Sequence, residues 1–460
     1  MINNMINNMI NNMINIKSNL IYWVVAVLVL GILFFIFNNS FDNKTSVEKD
    51  ENDGDLGAVS GKSLGNLCSG ENECREFCFT NKGRCESFCR ENIENQICKI
   101  IYPVQSIPSC TDGKEFFTVS PISFEDLDVI VPLGSLNPSA HVFPTDHMYF
   151  NVKHSETSDR TYPLRAKVFS PGDVNVVQIS SAEHLSAETI YTDYDLEFYP
   201  CKEVYIKFGH VTFLSEKLQS AFDEADGECT SYTSGGSEFR RCTKPISMQL
   251  QAGEEIGSAG GFLGGAAGFD FWLADYRIDS IIYANPARWS GHSFYITCPI
   301  DYFTPGIKDN LFAIVKNRRT IEPVCGTIAQ DIIGKAQGIW FLEGTQSIYP
   351  EDPHLALAHD NFNPLKGVFS VGTSVTGLDS NTYLFDPQVS GYVNRDFADV
   401  MPGNIYCYDS LKKKFDNQVS PLRIILEMTS ETEIMIEKQD VGTCGSRPWS
   451  FGSFSTRFER

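Results

Sequence analysis

From about Val104 onward the chain breaks into short apolar runs separated by Gly, Pro and Asn, and this texture limits what it can fold into. Runs of that length suit strands better than helices. Phe116–Val119, His147–Val152, Arg165–Phe169, Val174–Ile179, Leu196–Phe198 and Val204–His210 all have this character. Such spacing signals an antiparallel β-domain, with a short helix expected at Ser215–Ala225. Cys229 and Cys242 flank a polar, Gly-rich segment and are expected to close a hairpin. The Gly/Ala-rich loop from Gly253 to Gly268 leads into a strand at Phe269–Leu273. No Lys-Ser/Thr follows these glycines, so they do not form a phosphate-binding fingerprint.

A boundary is expected around Phe303–Pro323. Beyond it, Cys325 and Cys444, both expected in disulfides, bracket further β-sequence. Its strands are placed at Gly338–Leu342, Leu355–Ala358, Val368–Val371, Asn404–Tyr408, Leu422–Met428 and Glu433–Lys438. This half reads as a second β-barrel or sandwich. Its Gly338-Ile339-Trp340 resembles the first strand of lipocalin-like barrels.

The N-terminal part is different. Residues 1–19 are a low-complexity MINN repeat, read as a disordered tail. Leu20–Phe37 then carries no charge and is long enough to cross a hydrocarbon core as a single transmembrane helix. A cleaved signal peptide would have a shorter apolar region followed by small-x-small, whereas Asn38-Asn39-Ser40-Phe41 follows here. Lys17 before the helix and the mostly acidic Asp42–Asp55 after it place the short tail in the cytoplasm and the bulk outside. Fourteen cysteines, an even number, suit an exported protein. Residues 38–66 read as a solvated linker.

Residues 67–100 hold a compact cysteine module. Cys74 and Cys78 share a helix face, as do Cys85 and Cys89, with Asn81-Lys82-Gly83 as the turn between. A helical hairpin would pair Cys74 with Cys89 and Cys78 with Cys85, closed outside by Cys68–Cys98; zinc binding is the alternative. The expected fold class is therefore mainly β: an anchor helix, a disulfide-linked α-hairpin, an antiparallel β-domain over 104–305 and a second β-domain over 323–460. The formal charge of −21, with no Lys/Arg cluster to offset it, argues against nucleic acid as a partner.

Ser139–Phe150 carries three metal-capable side chains, His141, Asp146 and His147, at the edge of a strand-like run. Further along, Val204–Val211 places His210 at a strand end, and Gly268-Phe269-Asp270-Phe271 places a carboxylate between two rings. Together with Pro163–Val168, Gly172-Asp173-Val174 and Gly253–Gly257, this order of features resembles the lysostaphin/LytM-type zinc endopeptidases over residues 130–300. The resemblance implies a Zn2+ site hydrolysing cell-wall or surface peptides. It makes His141, Asp146, Asp270 and His147 the candidate ligands, and His210 and His292 the candidate catalytic residues. The pattern also departs from that family. His141 and Asp146 stand one residue further apart, which on a strand reverses a side chain's face unless a bulge or turn intervenes. The closing His-x-His is absent, with Asp270 in the place of the third ligand and Gly268 in that of the second catalytic His.

Each residue also has a structural reading: His141 in a turn, Asp146 capping one, His210 as a half-buried histidine, Asp270 facing solvent. A non-enzymatic surface protein binding a glycan, peptide or protein partner is the alternative function.

Overall fold

A computed structural model of the chain describes residues 103–155, 162–186, 190–234, 237–262, 265–289, 291–414, 416 and 418–460. The expected tail, anchor, linker and cysteine hairpin, with Cys68, Cys74, Cys78, Cys85, Cys89 and Cys98, lie outside the described residues. No described helix is long and apolar enough to cross a membrane.

The protein is mainly β and its strand ladders are antiparallel. The first sheet is built from β1 (Leu127–Val131), β2 (Met148–Val152), β3 (Ala166–Phe169), β4 (Val174–His184) and β5 (Thr192–Cys201). It continues with β6 (Val204–Leu214), β7 (Glu228–Ser234), β8 (Ser237–Leu250), β9 (Glu255–Ala259) and β10 (Gly268–Asp275). Its order is β1-β2-β10-β6-β5-β4-β8-β7, with β9 joining β3 to β6. Period-two alternation decides what each strand buries. Phe150 of β2, Phe208 of β6 and Phe269 and Phe271 of β10 are fully buried on one face. Their rings meet at 4.7 Å (Phe208–Phe269) and 4.8 Å (Phe208–Phe271). Burying each such side chain contributes about 1.5–3 kcal/mol. The other face keeps the polar residues of the same strands.

The short helix expected at Ser215–Ala225 forms as α1 (Glu216–Glu224) and buries Leu218 and Phe222. Phe116–Val119 is not a strand: Phe117 makes only an isolated bridge to Phe303, and its buried ring caps the core beside Phe271. The expected boundary segment holds a helix, α2 (Pro305–Lys316), which starts at Thr304-Pro305 and buries Leu311 and Val315. With Val324, Cys325 and Ile328 they belong to the first core, so residues 303–328 complete the first half.

The second sheet contains β11 (Gly338–Leu342), β12 (Leu355–His359), β13 (Gly367–Val371), β14 (Asn381–Phe385) and β15 (Ile405–Tyr408). Then come β16 (Lys412–Lys413), β17 (Arg423–Met428), β18 (Glu433–Gln439) and β19 (Thr456–Glu459). The order is β15-β17-β18-β19-β11-β12-β13-β14-β16. Residues from every strand but β16 meet in one core, so the sheet curls around a common interior. The run GIWFL is apolar on both faces for a reason. Trp340 points into that core, while Ile339 and Phe341 pack with Val142, Phe143 and Tyr283 of the first half.

Four disulfides are described. Cys229–Cys242 joins directly opposed residues of the β7–β8 hairpin, as expected. Cys325 and Cys444 are both bonded, to Cys298 and Cys407 respectively, so the two bracketing cysteines do not join each other. Each pairs within its own half because its half folds around its own core. Cys110–Cys201 ties the start of the first half to the end of β5.

Candidate functional site

The polar face of the first sheet gathers residues that lie far apart in sequence. On β2 the core residues are Met148 and Phe150, so Tyr149 and the preceding His147 turn to the opposite face. On β10, Phe269 and Phe271 go to the core and Asp270 and Trp272 go to the polar face. Asp270 stands opposite Tyr149 on one side and opposite Gly209 of β6 on the other. On β5, Asp193, Asp195 and Glu197 alternate with the core residues Leu196 and Phe198.

His210 reaches this face through an irregularity. Leu196 pairs with Phe208 and Tyr194 with Val211, so two residues of β6, Gly209 and His210, oppose the single Asp195. His210 has a φ of +60°, in the left-handed region that some bulges use. Both flanking residues, Phe208 and Val211, remain buried in the core, while His210 joins Gly209 on the polar side. Gly209 is needed there: a Cβ would lie 2.9 Å from the Trp272 ring and 3.0 Å from Asp195 Oδ1.

The resulting cluster centres on the Asp270 carboxylate, which is almost fully buried. His147 Nε2 and His210 Nε2 each lie 3.5 Å from Asp270 Oδ2. The other nitrogen of each ring meets a second carboxylate: His147 Nδ1 is 3.0 Å from Asp146 Oδ1, and His210 Nδ1 is 2.5 Å from Asp193 Oδ2. Two carboxylate–imidazole pairs thus present Nε2 to one oxygen, the second-carboxylate arrangement that orients metal-binding histidines. His184 Nε2 approaches Asp193 Oδ2 from the far side at 3.2 Å. The His141 ring stands 5.5 Å from that of His147.

Of the expected ligands, Asp146 is turned away from Asp270. Its Oδ1 accepts the Trp272 indole N–H at 2.7 Å as well as the His147 contact. The residue after it, His147, takes the position on the sheet face. His292 stands on a 3-10 turn at Gly291–Phe294, stacks on Tyr205 at 4.4 Å and lines the same cavity as His141, Asp146 and His147. Among the described residues it makes no ion pair with Asp270. Gly268, the expected place of a second catalytic His, has no room for any side chain: a Cβ would sit 1.9 Å from the Phe150 carbonyl oxygen.

The electrostatics follow from burial and from the carboxylates. Burial, reinforced by the neighbouring His147 ring, pushes the His141 imidazole down to about 4, so it is neutral at pH 7. Burial alone would depress His210, but Asp270, Asp193 and Asp195 outweigh it and push that imidazole up to about 10. Its side chain is 40 % exposed, so solvent screens part of this attraction. Asp146 resists burial through the hydrogen bonds from His147 and Trp272 and stays below the usual carboxylate range.

The donors fit a metal in composition and, pairwise at Asp270, in spacing. His147 is only 3 % exposed, yet its Nε2 makes no hydrogen bond. Two ligands of a tetrahedral zinc with bonds of about 2.0–2.1 Å stand about 3.3–3.4 Å apart. The 3.5 Å approaches to Asp270 are close to that spacing. Among the described residues, only Cys110, Cys201 and Glu203 bring three ligand atoms within 4.8 Å of one another, and there the two thiols form a disulfide. A metal at Asp270 therefore requires the donors to draw closer than they stand. Beside the cluster, a cavity of about 770 Å³ runs between the two halves, with His141, Asp146 and His147 in its wall.

Sequence reasoning did not reach Asp193, Asp195 or Trp272. Alternation along β5 places Asp193 and Asp195 on one face, but only the pairing of β5 with β6 and of β6 with β10 brings that face to Asp270. No family model, curated protein or solved structure matches this chain.

Proposed function

We propose that the chain is an exported, membrane-anchored hydrolase with a divergent lysostaphin/LytM-like domain, acting on cell-wall or surface peptides through a zinc ion held at Asp270. The observation that carries this reading is the buried His147 Nε2, without a hydrogen bond and 3.5 Å from Asp270. Asp270, His147 and His141 would hold the metal, the last kept neutral by its burial. Asp146 then acts one step back, fixing the His147 tautomer so that Nε2 offers its lone pair. When bound, zinc supplies an acidified water and a Lewis acid for a peptide carbonyl. His210 is placed to carry a proton at Nε2, with Asp193 holding the ring through Nδ1. The uncharged run Leu20–Phe37 and the acidic segment after it support an anchor with the bulk outside.

One observation favours the alternative, a non-enzymatic surface protein. As packed, the donors at Asp270 do not converge as tightly as a closed metal site. Metal analysis of the purified full-length chain separates the two. The hydrolase reading expects one zinc per chain, lost in His147→Ala and Asp270→Ala. It expects affinity to fall about 10–100-fold in Asp146→Asn. It also expects peptide hydrolysis to vanish in His210→Ala while zinc stays bound. Metal-free wild-type protein that stays so after zinc is added overturns it.

A further inference from the structure

We propose that the cavity between the two halves binds a protonated primary amine, a lysine-like side chain or a free N-terminus, of a peptide presented to the Asp270 cluster. Only the presentation of that peptide to the Asp270 cluster rests on the hydrolase reading. The cavity is set between fixed walls. Val142, Phe143 and Tyr283 of the first half pack on Ile339, Phe341 and Ala356 of the second, and the Phe143 N–H donates to Glu351 at 2.9 Å. It reaches the surface at Tyr349 and Tyr232, which are 66 % and 42 % exposed.

The charged groups of its wall do not balance. Three carboxylates line it, Asp146, Glu197 and Glu351, against two cations, Lys207 and Arg241. Both cations are already engaged by Asp195, at 3.1 Å and 2.7 Å. Glu197 takes a hydrogen bond from Gln178 and Glu351 one from a backbone N–H. Among the described residues neither forms an ion pair with a cation. Burial raises both, Glu351 to about 8, and at Glu197 it outweighs the attraction of Lys207 and Arg241. An incoming ammonium group would supply a close partner and favour the ionised form of both.

The aromatic lining favours the same ligand. Trp272, Trp289, Tyr205 and Tyr283 stand in the wall with Tyr349 at the mouth. Ring faces attract cations, and one wall residue already shows it: Lys207 Nζ lies 4.3 Å from the Trp272 ring centre. An anionic ligand would gain nothing from these carboxyl groups and would meet a chain whose formal charge is −21. His147, 3 % exposed and with Nε2 unbonded, borders the same cavity, so an amine held there lies beside the candidate metal position.

Calorimetric titration of the full-length chain, stripped of metal with EDTA, tests this with acetyl-Gly-Lys-Gly-amide and free Gly-Gly-Gly-amide as probes. At least one probe is expected to bind and to weaken about tenfold when its amine is acetylated, with the loss growing as salt falls. The probe that binds tells a side-chain amine from an N-terminus. Glu351→Gln and Glu197→Gln are each expected to weaken binding several-fold. Absence of binding by both probes, or equal binding of the acetylated forms, overturns the proposal. Because no metal is present, a failed zinc site and a failed amine site give different results.

Discussion

At the scale of single residues, burial without a matching cation is the recurring condition of this cleft. Glu351 is the clearest case. Its ordinary value of 4.5 is pushed to about 8, first by burial and then by repulsion from Asp146. A carboxyl raised in this way favours folding only while it is protonated. Its contribution is complete below about pH 4.5 and is lost as pH rises towards 8. Wild-type stability, read from denaturant midpoints, should therefore fall across this window relative to Glu351→Gln, and parallel profiles would contradict the assignment. His141, Asp146, His147 and Asp270 were legible in the sequence as candidate ligands, and His210 as a candidate catalytic residue. Their division of labour was not. Whether Asp146 or His147 faces Asp270 depends on which residue starts the alternation of β2, and the packing of Met148 and Phe150 decides it.

At the scale of elements, most strands could be read from their own composition, and Gly338–Leu342 appears with the bounds expected. Ser215–Ala225 likewise became a helix with one residue trimmed at each end. Two failures have identifiable causes. Phe116–Val119 has strand-forming residues but no neighbour to complete a ladder, since its place beside Phe303 is at the end of the core. Helix α2 was hidden because Thr304-Pro305 resembles a loop signal, yet Pro at the first helical position is also a start signal. The bulge at Gly209-His210 could not be foreseen at all, because it exists only in the mismatch between β5 and β6. It also sets a prediction. Gly209→Ala must displace either the Trp272 ring or Asp195. It is expected to cost about 1–3 kcal/mol, measured by chemical denaturation. The zinc and amine binding proposed for the cleft should weaken with it.

At the scale of the whole molecule, the two sheets have separate cores but share a seam. Phe143 stacks on His354 at 5.4 Å and meets Phe341 edge-on at 5.5 Å, both residues of the second half. Arg319, buried at the end of the first half, donates to the Asn361 carbonyl at 2.9 Å. These contacts couple the halves, so thermal unfolding of the wild type should follow one transition. Phe143→Ala removes a large side chain from the seam and is expected to cost about 3–5 kcal/mol. Calorimetry should then resolve two transitions, whereas a single shifted peak would mean that other contacts carry the coupling.

The contact at Gly268 has a consequence for anyone redesigning this cleft. With the Phe150 carbonyl oxygen 1.9 Å from where a Cβ would stand, that strand position is closed to histidine and even to alanine. Additional imidazole cannot be installed there by a single codon change without prising β2 from β10. A richer donor set is better sought at Tyr149, whose ring already lies 4.8 Å from that of His147 on the open side of the same ladder.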